Sequence, residues 1–426
     1  MKFRRSITTA VLLLFMISIL LVINQRRTYT LTYRHPSGEV LAEERLRMSE
    51  SIPTFDGCDE SETFQGVYET PMLETVYDRT RMPDRDLTLY VACTDEEGFL
   101  KLSSVPESMD GETVSERFAT NRQGFVSVGN TLHYIGGVGP HKTDDEGDFS
   151  GFEYYSDLHI AYNLEEQSWE KHPDLPAKIG FLDAVEHEGF IYILGGEWID
   201  EDGFLEQEAL KYDLEEKTYE TVADPPFSFQ ASNGSVVHDG KIYVFSDTKQ
   251  TIEDGRPSFE TTDETLIYDI DADQWSLGSE APFKTSGGSA ALVGDLIYVY
   301  RSASSSRSHF ASYNPEDDAW EEDLSQSEFH VSHSSSLNLD GKLILSGGWL
   351  TGRGGTSGAI QSYDPETDRW ETLTELRDDD DGGIGYVAQY GMNGSLYYLG
   401  GESYNDERLY QSHRDVYQFK LEWKQR

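Results

Sequence analysis

Cysteine is almost absent: the chain of 426 residues contains only Cys58 and Cys93. With no pair at Cys-x-x-Cys spacing, we expect no structural zinc site of that kind. Two cysteines allow one disulfide, Cys58–Cys93, if the domain that carries them lies outside the cell, and otherwise leave two free thiols. Both alternatives stay open at this point.

Basic residues are also scarce, with 34 Lys and Arg against 78 Asp and Glu and a formal net charge of −44. This balance excludes nucleic acid as a partner, because phosphates require a basic surface. The acidic residues are spread along the chain, as on the surfaces of proteins from extreme halophiles. In molar salt the Debye length is about 3 Å, so such charge serves hydration and solubility more than long-range attraction.

Recognisable catalytic and metal motifs are missing. The sequence has no Gly-x-Ser-x-Gly elbow, phosphate-binding loop or His-Glu-x-x-His motif. His330 and His333 stand three apart, but no third histidine follows at a useful spacing. The acidic runs 144–148 and 378–381 do not match a calcium loop. We therefore predict no metal site and no cofactor, with calcium as the one ion that the acidic runs leave open.

One long apolar segment runs from Ile7 to Ile23, with basic residues on both sides. Its length of about 17 residues is at the lower edge of what crosses a bilayer. No Ala-x-Ala-like cleavage site follows, which favours a membrane anchor over a cleaved signal peptide. We predict a single N-terminal transmembrane anchor over residues 1–27, with the rest of the chain outside the cell. A secreted protein is the alternative.

What the sequence does have is a pattern that recurs about every fifty residues. It is fullest over residues 334–370, where two short strands flank the turn Asp340-Gly341, Gly347-Gly348 ends the second strand, a third strand reaches Tyr363 and a fourth begins at Trp370. The third-strand tyrosine and the aromatic that follows it recur as Tyr162/Trp169, Tyr212/Tyr219, Tyr268/Trp275, Tyr313/Trp320, Tyr363/Trp370 and Tyr417/Trp423. A four-stranded sheet cannot bury its faces alone, so we expect the copies to pack together.

These features resemble the kelch repeat, in which a double glycine follows the second strand and Tyr-x6-Trp spans the third turn. The resemblance covers about residues 113–423 and implies an all-β fold, a β-propeller of six four-stranded blades, with seven as the alternative. We assign residues 113–426 to the propeller and expect strands in residues 87–112 to help close it, since an open sheet edge invites pairing. Residues 28–86 are expected to form a small cap or a membrane-proximal segment.

The resemblance also implies a binding face. In kelch propellers the segments after the second strand and those leading into the first strand open around the central channel. We expect the former to be long irregular loops that carry binding residues. The candidate binding residues are Arg122, Lys178, Glu197, Gln230, His333, Trp349, Asp381 and Glu402.

We therefore expect an extracellular, membrane-anchored binding module that holds a protein partner or a surface glycan, with Trp349 able to stack on a ring. The alternative is a carbohydrate- or peptide-modifying enzyme, epimerase-like or lyase-like, with an acid/base pair in the channel. Some kelch-like propellers, such as galactose oxidase-like enzymes, use a copper radical formed on a cysteine-linked tyrosine within the propeller. Both cysteines of this chain precede the repeats, which argues against that chemistry.

Overall fold

The structure, a computed structural model, describes residues 27–422 except 56, 60, 84, 140–154, 201, 232, 246–247, 254–255, 328–329, 353, 379–381 and 405–409. The chain divides into two compact units, Met1–Glu96 and Glu97–Arg426. The described residues form β-strands and no α-helix. Among them, no helix is long and apolar enough to cross a bilayer. The predicted anchor from Ile7 to Ile23 lies outside the described residues.

The first unit contains one small sheet with a core of its own. Its strands are β1 (Thr28–Arg34), β2 (Val40–Arg47), β3 (Thr63–Tyr68) and β4 (Leu87–Thr94), in the order β2-β1-β4-β3. Strands β1 and β4 are parallel, and the alternating residues Leu31 and Tyr33 are buried between Leu89 and neighbouring apolar side chains. A disulfide joins Cys58 to Cys93, with their Cα atoms 5.7 Å apart.

The second unit begins with β5 (Phe99–Ser104), β6 (Ser108–Met109) and β7 (Glu112–Thr113). Six sheets of four or five strands then follow in its described part, here called sheets 1 to 6, together with two small three-stranded sheets. Sheet 1 contains β8 (Gly124–Val128), β9 (Thr131–Ile135), β10 (His159–Asn163) and β11 (Ser168–Lys171). Sheet 2 contains β12 (Lys178–His187), β13 (Phe190–Asp200), β14 (Gly203–Phe204), β15 (Ala209–Asp213) and β16 (Thr218–Val222).

The next strands are β17 (Phe229–Gln230), then β18 (Ser235–His238), β19 (Lys241–Phe245), β20 (Thr248–Glu253), β21 (Arg256–Thr261), β22 (Thr265–Asp269) and β23 (Gln274–Leu277). Sheet 3 consists of β18, β19, β22 and β23, while β17, β20 and β21 form a small separate sheet. Sheet 4 contains β24 (Ser289–Val293), β25 (Leu296–Ser304), β26 (Arg307–Asn314) and β27 (Ala319–Glu321).

Sheet 5 contains β28 (Val331–Ser332), β29 (Ser335–Leu339), β30 (Lys342–Leu350), β31 (Thr356–Asp364) and β32 (Arg369–Glu375). The last strands are β33 (Ile384–Gly385), β34 (Ala388–Met392), β35 (Ser395–Leu399), β36 (Glu402–Tyr404), β37 (Tyr410–Ser412) and β38 (Asp415–Lys420). Sheet 6 has the order β34-β35-β38-β5, while β33, β36 and β37 form a small separate sheet.

The innermost strands contact one another in a closed cycle, in the order β8, β12, β18, β24, β29, β34 and back to β8. Hydrogen bonds cross between neighbouring sheets: Ser235 N donates to Asp183 Oδ2 over 2.7 Å. The Tyr390 hydroxyl donates to the carbonyl of His133 over 2.8 Å and so joins sheet 6 to sheet 1. This all-β arrangement is consistent with the kelch propeller that the repeats predicted.

The turn and aromatic signals of the repeat have the expected geometry. At Glu188-Gly189, Asp239-Gly240, Asp340-Gly341 and Asn393-Gly394 both residues have positive φ, as a type I′ hairpin turn requires. The first five tyrosine–aromatic pairs lie directly opposite each other on the third and fourth strands. Their ring centroids are between 4.7 and 5.2 Å apart.

The sixth pair, Tyr417/Trp423, was wrong. Phe419, not Tyr417, takes the tyrosine position in sheet 6, because Phe419 lies opposite Leu396 as Tyr363 lies opposite Leu343. The fourth strand is β5, so Phe99 occupies the aromatic position opposite Phe419, and Trp423 lies outside the described residues. The sequence pattern failed here because this strand comes from an earlier part of the chain.

Of the strands in residues 87–112 that were expected to help close the propeller, β5 completes sheet 6 beside β38, whereas β4 belongs to the first unit. One further expectation was wrong: among the described residues, the segments after the second strands are largely β-hairpins and not irregular loops. Strand β20 pairs with β21, and β25 and β30 continue past the repeat's double-glycine position. Their alternating, β-branched sequences, such as TKQTIE and RPSFET, continue the ladder outward.

Candidate functional site

A ring of six residues with positive φ surrounds the centre of the second unit. Five of them lie two residues before an innermost strand, and the sixth lies within β12 at a break in the pairing. They are Arg122 (53°), Phe181 (60°), Asn233 (62°), Gly287 (68°), His333 (54°) and Tyr386 (58°). Only one is glycine, so five side-chain-bearing residues adopt a conformation that is uncommon for them. We call this set the channel ring.

Backbone hydrogen bonds fix the channel ring to neighbouring sheets. The accepting carbonyls belong to Arg122, Phe181, Asn233 and Gly287, and the donors are the amides of Phe181 (2.9 Å), Ala231 (2.8 Å), Ala290 (2.8 Å) and His333 (2.8 Å). The Tyr386 carbonyl accepts from Gln123 Nε2 over 3.1 Å. These five left-handed residues turn their carbonyls toward the next sheet, and the contact holds the conformation in place.

A cavity of about 420 Å³ opens beside four members of this ring, Arg122, Phe181, His333 and Tyr386. Its lining residues are Asn121, Arg122, Val138, Tyr155, Phe181, Ser332, His333, Trp349, Tyr386 and Glu402. The Arg122 guanidinium carbon lies 4.5 Å from the ring centroid of Phe181 and 5.5 Å from that of Tyr386. Arg122 Nε is buried and has no hydrogen-bond partner among the described residues. We call this the Arg122 cavity, and its centre is a cation held between two aromatic faces.

Two carboxylates stand close to this cation. Glu197 is 5% exposed, and its oxygens accept hydrogen bonds from the Tyr155 hydroxyl and Gln230 Nε2. Burial raises the pKa of Glu197, against the opposing effect of these bonds and of Arg122. Glu402 is 1% exposed and accepts a bond of 2.6 Å from Thr120 Oγ1. The cavity therefore offers a cation flanked by acidic groups that are already held in place.

Aromatic and imidazole side chains complete the wall. Burial, and then the charge of Arg122, lowers the pKa of His333 to about 3, so this imidazole is neutral at neutral pH. The His333 ring lies 6.1 Å from that of Tyr386. Trp349 lies 5.8 Å from Tyr404 at another part of the wall. The cavity thus combines one charged donor with several flat, largely uncharged surfaces.

Comparison with known proteins gives several partial matches to kelch-like proteins. Kelch-like protein 23 of Pongo abelii is 26% identical over 254 residues, which is 59% of this chain and 41% of that protein. Kelch-like protein 40 of Xenopus tropicalis is 27% identical over 172 residues, 39% of this chain and 27% of that protein. Kelch-like protein 21 of Mus musculus is 34% identical over 119 residues, 26% of this chain and 19% of that protein.

These matches support a kelch-repeat family for the chain. The chain covers less than half the length of these kelch-like proteins, at most 41%. No protein-family model matches it.

The predicted kelch binding residues are only partly brought together. Arg122, His333, Trp349 and Glu402 line the Arg122 cavity. Glu197 and Gln230 bond to each other behind Tyr155. Lys178 begins β12 and is not among the lining residues, and Asp381 lies outside the described residues. Their role in binding stays a prediction.

Sequence reasoning missed Phe181 and Tyr386, because in the segments that lead into the first strands it chose Lys178, Gln230 and Asp381, which come before the ring residues. It also missed Tyr155. The kelch-type ring positions can be read from a short signal: a small residue stands two places after the ring residue in most copies. The pairs are Arg122/Gly124, Asn233/Ser235, Gly287/Ser289, His333/Ser335 and Tyr386/Ala388. Tyr155 has no such signal, since it arrives from the segment between β9 and β10.

Proposed function

We propose that this chain is a membrane-anchored, extracellular, six-bladed kelch-type propeller that binds a protein partner in the Arg122 cavity. The observation that carries the proposal is Arg122, stacked between Phe181 and Tyr386 with Nε buried and unpartnered among the described residues. The closed cycle of six innermost strands supports the blade number. The likeness to kelch-like proteins supports a protein-interaction role.

Anchoring and location rest on the first unit and on the sequence before it. The apolar segment from Ile7 to Ile23 has the length and basic flanks of a membrane anchor. The disulfide between Cys58 and Cys93 favours an oxidising compartment. Mass spectrometry of the membrane-extracted protein should give an N-terminus ahead of Ile7. A mature N-terminus after Asn24 would contradict the anchor.

Charge complementarity suggests which group of the partner enters the cavity. The guanidinium is the central cation, and the aromatic walls favour an apolar stem, so we expect the partner to insert a carboxylate on a short side chain. A charge-assisted bond contributes about 1.5–3 kcal/mol. Arg122→Met should therefore weaken binding about 10-fold to 100-fold. Arg122→Lys should retain part of the affinity, because it retains the charge but loses the planar stacking.

The test is photo-cross-linking on intact cells, with a photoreactive residue in place of Trp349. The partner captured there should be lost in Arg122→Met and partly retained in Arg122→Lys. A photoreactive residue in place of Leu277, which is 55% exposed and is not among the residues that line the cavity, is the matched control. Equal capture of the same partner by all variants would refute the proposed cavity.

An enzymatic role is the second candidate, because the pKa of the buried Glu197 is raised while His333 is neutral. Such a pair of perturbed groups could exchange a proton with a bound sugar or peptide. Turnover of a sugar or peptide panel by the wild-type protein, abolished in Glu197→Gln, would favour the enzyme. Binding of a glycan array without turnover would make the ligand a glycan instead of a protein.

A further inference from the structure

Three buried histidines meet on one face of sheet 1. His133 lies on β9, His159 on β10 and His172 just after β11. They are 3%, 0% and 5% exposed, and one ligand nitrogen of each lies within 4.8 Å of the others. Pairing explains the convergence: His159 pairs with Ile135, two residues from His133, and the amide of His172 donates to the carbonyl of His159 over 2.9 Å.

The nitrogens that face away from the centre are held by tyrosines of sheet 2. His159 Nδ1 lies 2.8 Å from the Tyr219 hydroxyl, which itself donates to the carbonyl of Pro173 over 3.1 Å. Tyr219 must then accept from His159 Nδ1–H, so Nε2 carries the lone pair. His172 Nδ1 lies 2.8 Å from the Tyr212 hydroxyl. Outer hydrogen bonds of this kind orient histidine ligands in metal sites.

Toward the centre, the hydrogen bonding is incomplete. His133 Nδ1 and His159 Nε2 are 2.9 Å apart and share one proton. His172 Nε2 is buried and has no hydrogen-bond partner among the described residues. The nearest acidic oxygen is Oε2 of Glu170, 3.8 Å away, which is too far for a hydrogen bond. A buried ring nitrogen without a hydrogen-bond partner, beside two other imidazoles, is a costly arrangement unless something binds there.

The trio is not required by the repeat. At the position of His133 the other sheets carry Tyr192, Tyr243, Tyr298, Ile344 and Tyr397, and at that of His159 they carry Ala209, Thr265, Phe310, Ile360 and Val416. At the position of His172, sheets 2 and 3 carry Val222 and Gly278. Sheets of this design therefore pack without histidine, and the three substitutions occur together in one sheet.

The neighbouring turn has changed as well. In sheets 3, 4 and 5 the third-strand tyrosine donates to an aspartate five residues later, as Tyr268 does to Asp273 over 2.7 Å. In sheet 2 that aspartate is replaced by Lys217. The hydroxyl of Tyr212 is consequently released from the turn and bonds to His172. Lys217 instead forms an ion pair with Glu170 beside the cluster.

We propose that His133, His159 and His172 bind a zinc ion, with Glu170 or a water as the fourth ligand. Three imidazole nitrogens and a carboxylate suit Zn²⁺. Zn–N bonds are about 2.0–2.1 Å, so the three nitrogens need separations of about 3.3 Å. On zinc binding, His133 Nδ1 and His159 Nε2 would move slightly apart from their 2.9 Å separation, and His172 Nε2 would move toward them. The proton on His133 Nδ1 would move to Nε2 of the same ring.

The experiment is zinc binding by the full-length protein, refolded with and without zinc because the ligands are buried. After dialysis in molar potassium chloride with millimolar magnesium, which suppresses weak binding to the acidic surface, we expect one zinc per chain by elemental analysis. Zinc should also raise the melting temperature, since it binds the folded state. Cobalt in its place should give the visible absorption of a tetrahedral nitrogen-rich site.

Three variants make the assignment specific. His172→Asn should lose at least 100-fold in zinc affinity, whereas His238→Asn, which changes a histidine in sheet 3, should bind as wild type. Tyr212→Phe keeps all three ligands but removes the partner of His172 Nδ1, and should lower the affinity about 10-fold to 100-fold. Its circular dichroism should match wild type, so it remains informative if His172→Asn fails to fold. Less than one-tenth equivalent of zinc in the wild type, or equal binding by Tyr212→Phe and wild type, would overturn the proposal.

Discussion

The tyrosine–aspartate contact in sheet 5 offers a direct test of what holds adjacent sheets together. Asp368 Oδ1 accepts from the Tyr363 hydroxyl and from Ser325 N, both over 2.8 Å, and Oδ2 accepts from the Ser325 hydroxyl over 2.8 Å. Ser325 belongs to the segment that follows sheet 4, and its carbonyl accepts from Trp370 Nε1 over 2.8 Å. The carboxylate therefore joins two sheets through charge-assisted bonds.

The hydrogen bond from the Tyr363 hydroxyl to Asp368 determines how much stability a variant should lose. A hydrogen bond to a charged group contributes about 1.5–3 kcal/mol, which we reduce to about 1–2 kcal/mol because water reaches the aspartate. Tyr363→Phe should lower the free energy of unfolding by that amount, and the double variant with Asp368→Asn should lose less than the sum of the single variants. Asparagine suits this test because it tolerates the φ of 50° at position 368. Glu366→Gln, a charge change in the same turn, should stay within about 0.5 kcal/mol of wild type.

The pH dependence gives a second readout from urea unfolding in molar potassium chloride. Hydrogen bonds from Ser325 and Tyr363 lower the pKa of Asp368 from its ordinary 3.8 in the folded state. A lowered folded pKa means that the contribution is fully present above pH 3.8 and is lost as the pH falls through the folded value. The stability difference between wild type and Asp368→Asn should shrink in acid. A difference that is the same at neutral and strongly acidic pH, or additive losses in the cycle, would refute the reasoning.

Two further predictions concern the stability of the second unit: one compares substitutions at two glycines, and the other concerns the pH dependence caused by a buried aspartate. In Gly358→Ala the new Cβ would lie 1.8 Å from the Leu376 carbonyl oxygen, so urea unfolding should show a loss of about 3 kcal/mol or more. In Gly341→Ala the new Cβ would have no atom within 4 Å, and only the positive φ of 79° is unfavourable, so the loss should be about 1 kcal/mol. Equal losses in the two variants would contradict a steric cause for the effect at Gly358. Burial raises the pKa of Asp183 from 3.8 to about 6, so its contribution to stability should fall by about 3 kcal/mol as the pH rises through this window. Asp183→Asn should abolish that slope in a pH series of unfolding curves, and an unchanged slope would exclude Asp183 as its source.

Local signals in the sequence were sufficient for most of the fold. The turn residues Asp340-Gly341 and the pair Tyr363/Trp370 are set by contacts a few residues apart, so their geometry follows from chain chemistry. Phe419 could not be placed in the same way, because its partner Phe99 lies more than 300 residues earlier in the sequence. When two paired strands lie so far apart in the sequence, no fixed spacing between residues predicts their pairing.

The candidate site was predictable only to the level of which face it lies on. The predicted residues Arg122, His333, Trp349 and Glu402 line the cavity, and their role in binding stays a prediction. The aromatic walls of Arg122 were missed because the segments that lead into the first strands differ in length. The His133 cluster was missed for a different reason. Its members stand 26 and 13 residues apart, a spacing with no metal motif, and only the pairing of β9, β10 and β11 brings them together.

Strand β5 is synthesised long before β38, the strand with which it pairs. Ser104 of β5 meets Asp415 of β38 across 311 residues, so a ribosome releases β5 long before its partner exists. Until then β5 is a strand with an unpaired edge, and the first five sheets are an open arc with an exposed flank. A nascent chain in this state is most vulnerable to pairing with other chains. We therefore expect chaperone binding during translation to concentrate on β5, and to end when β38 emerges.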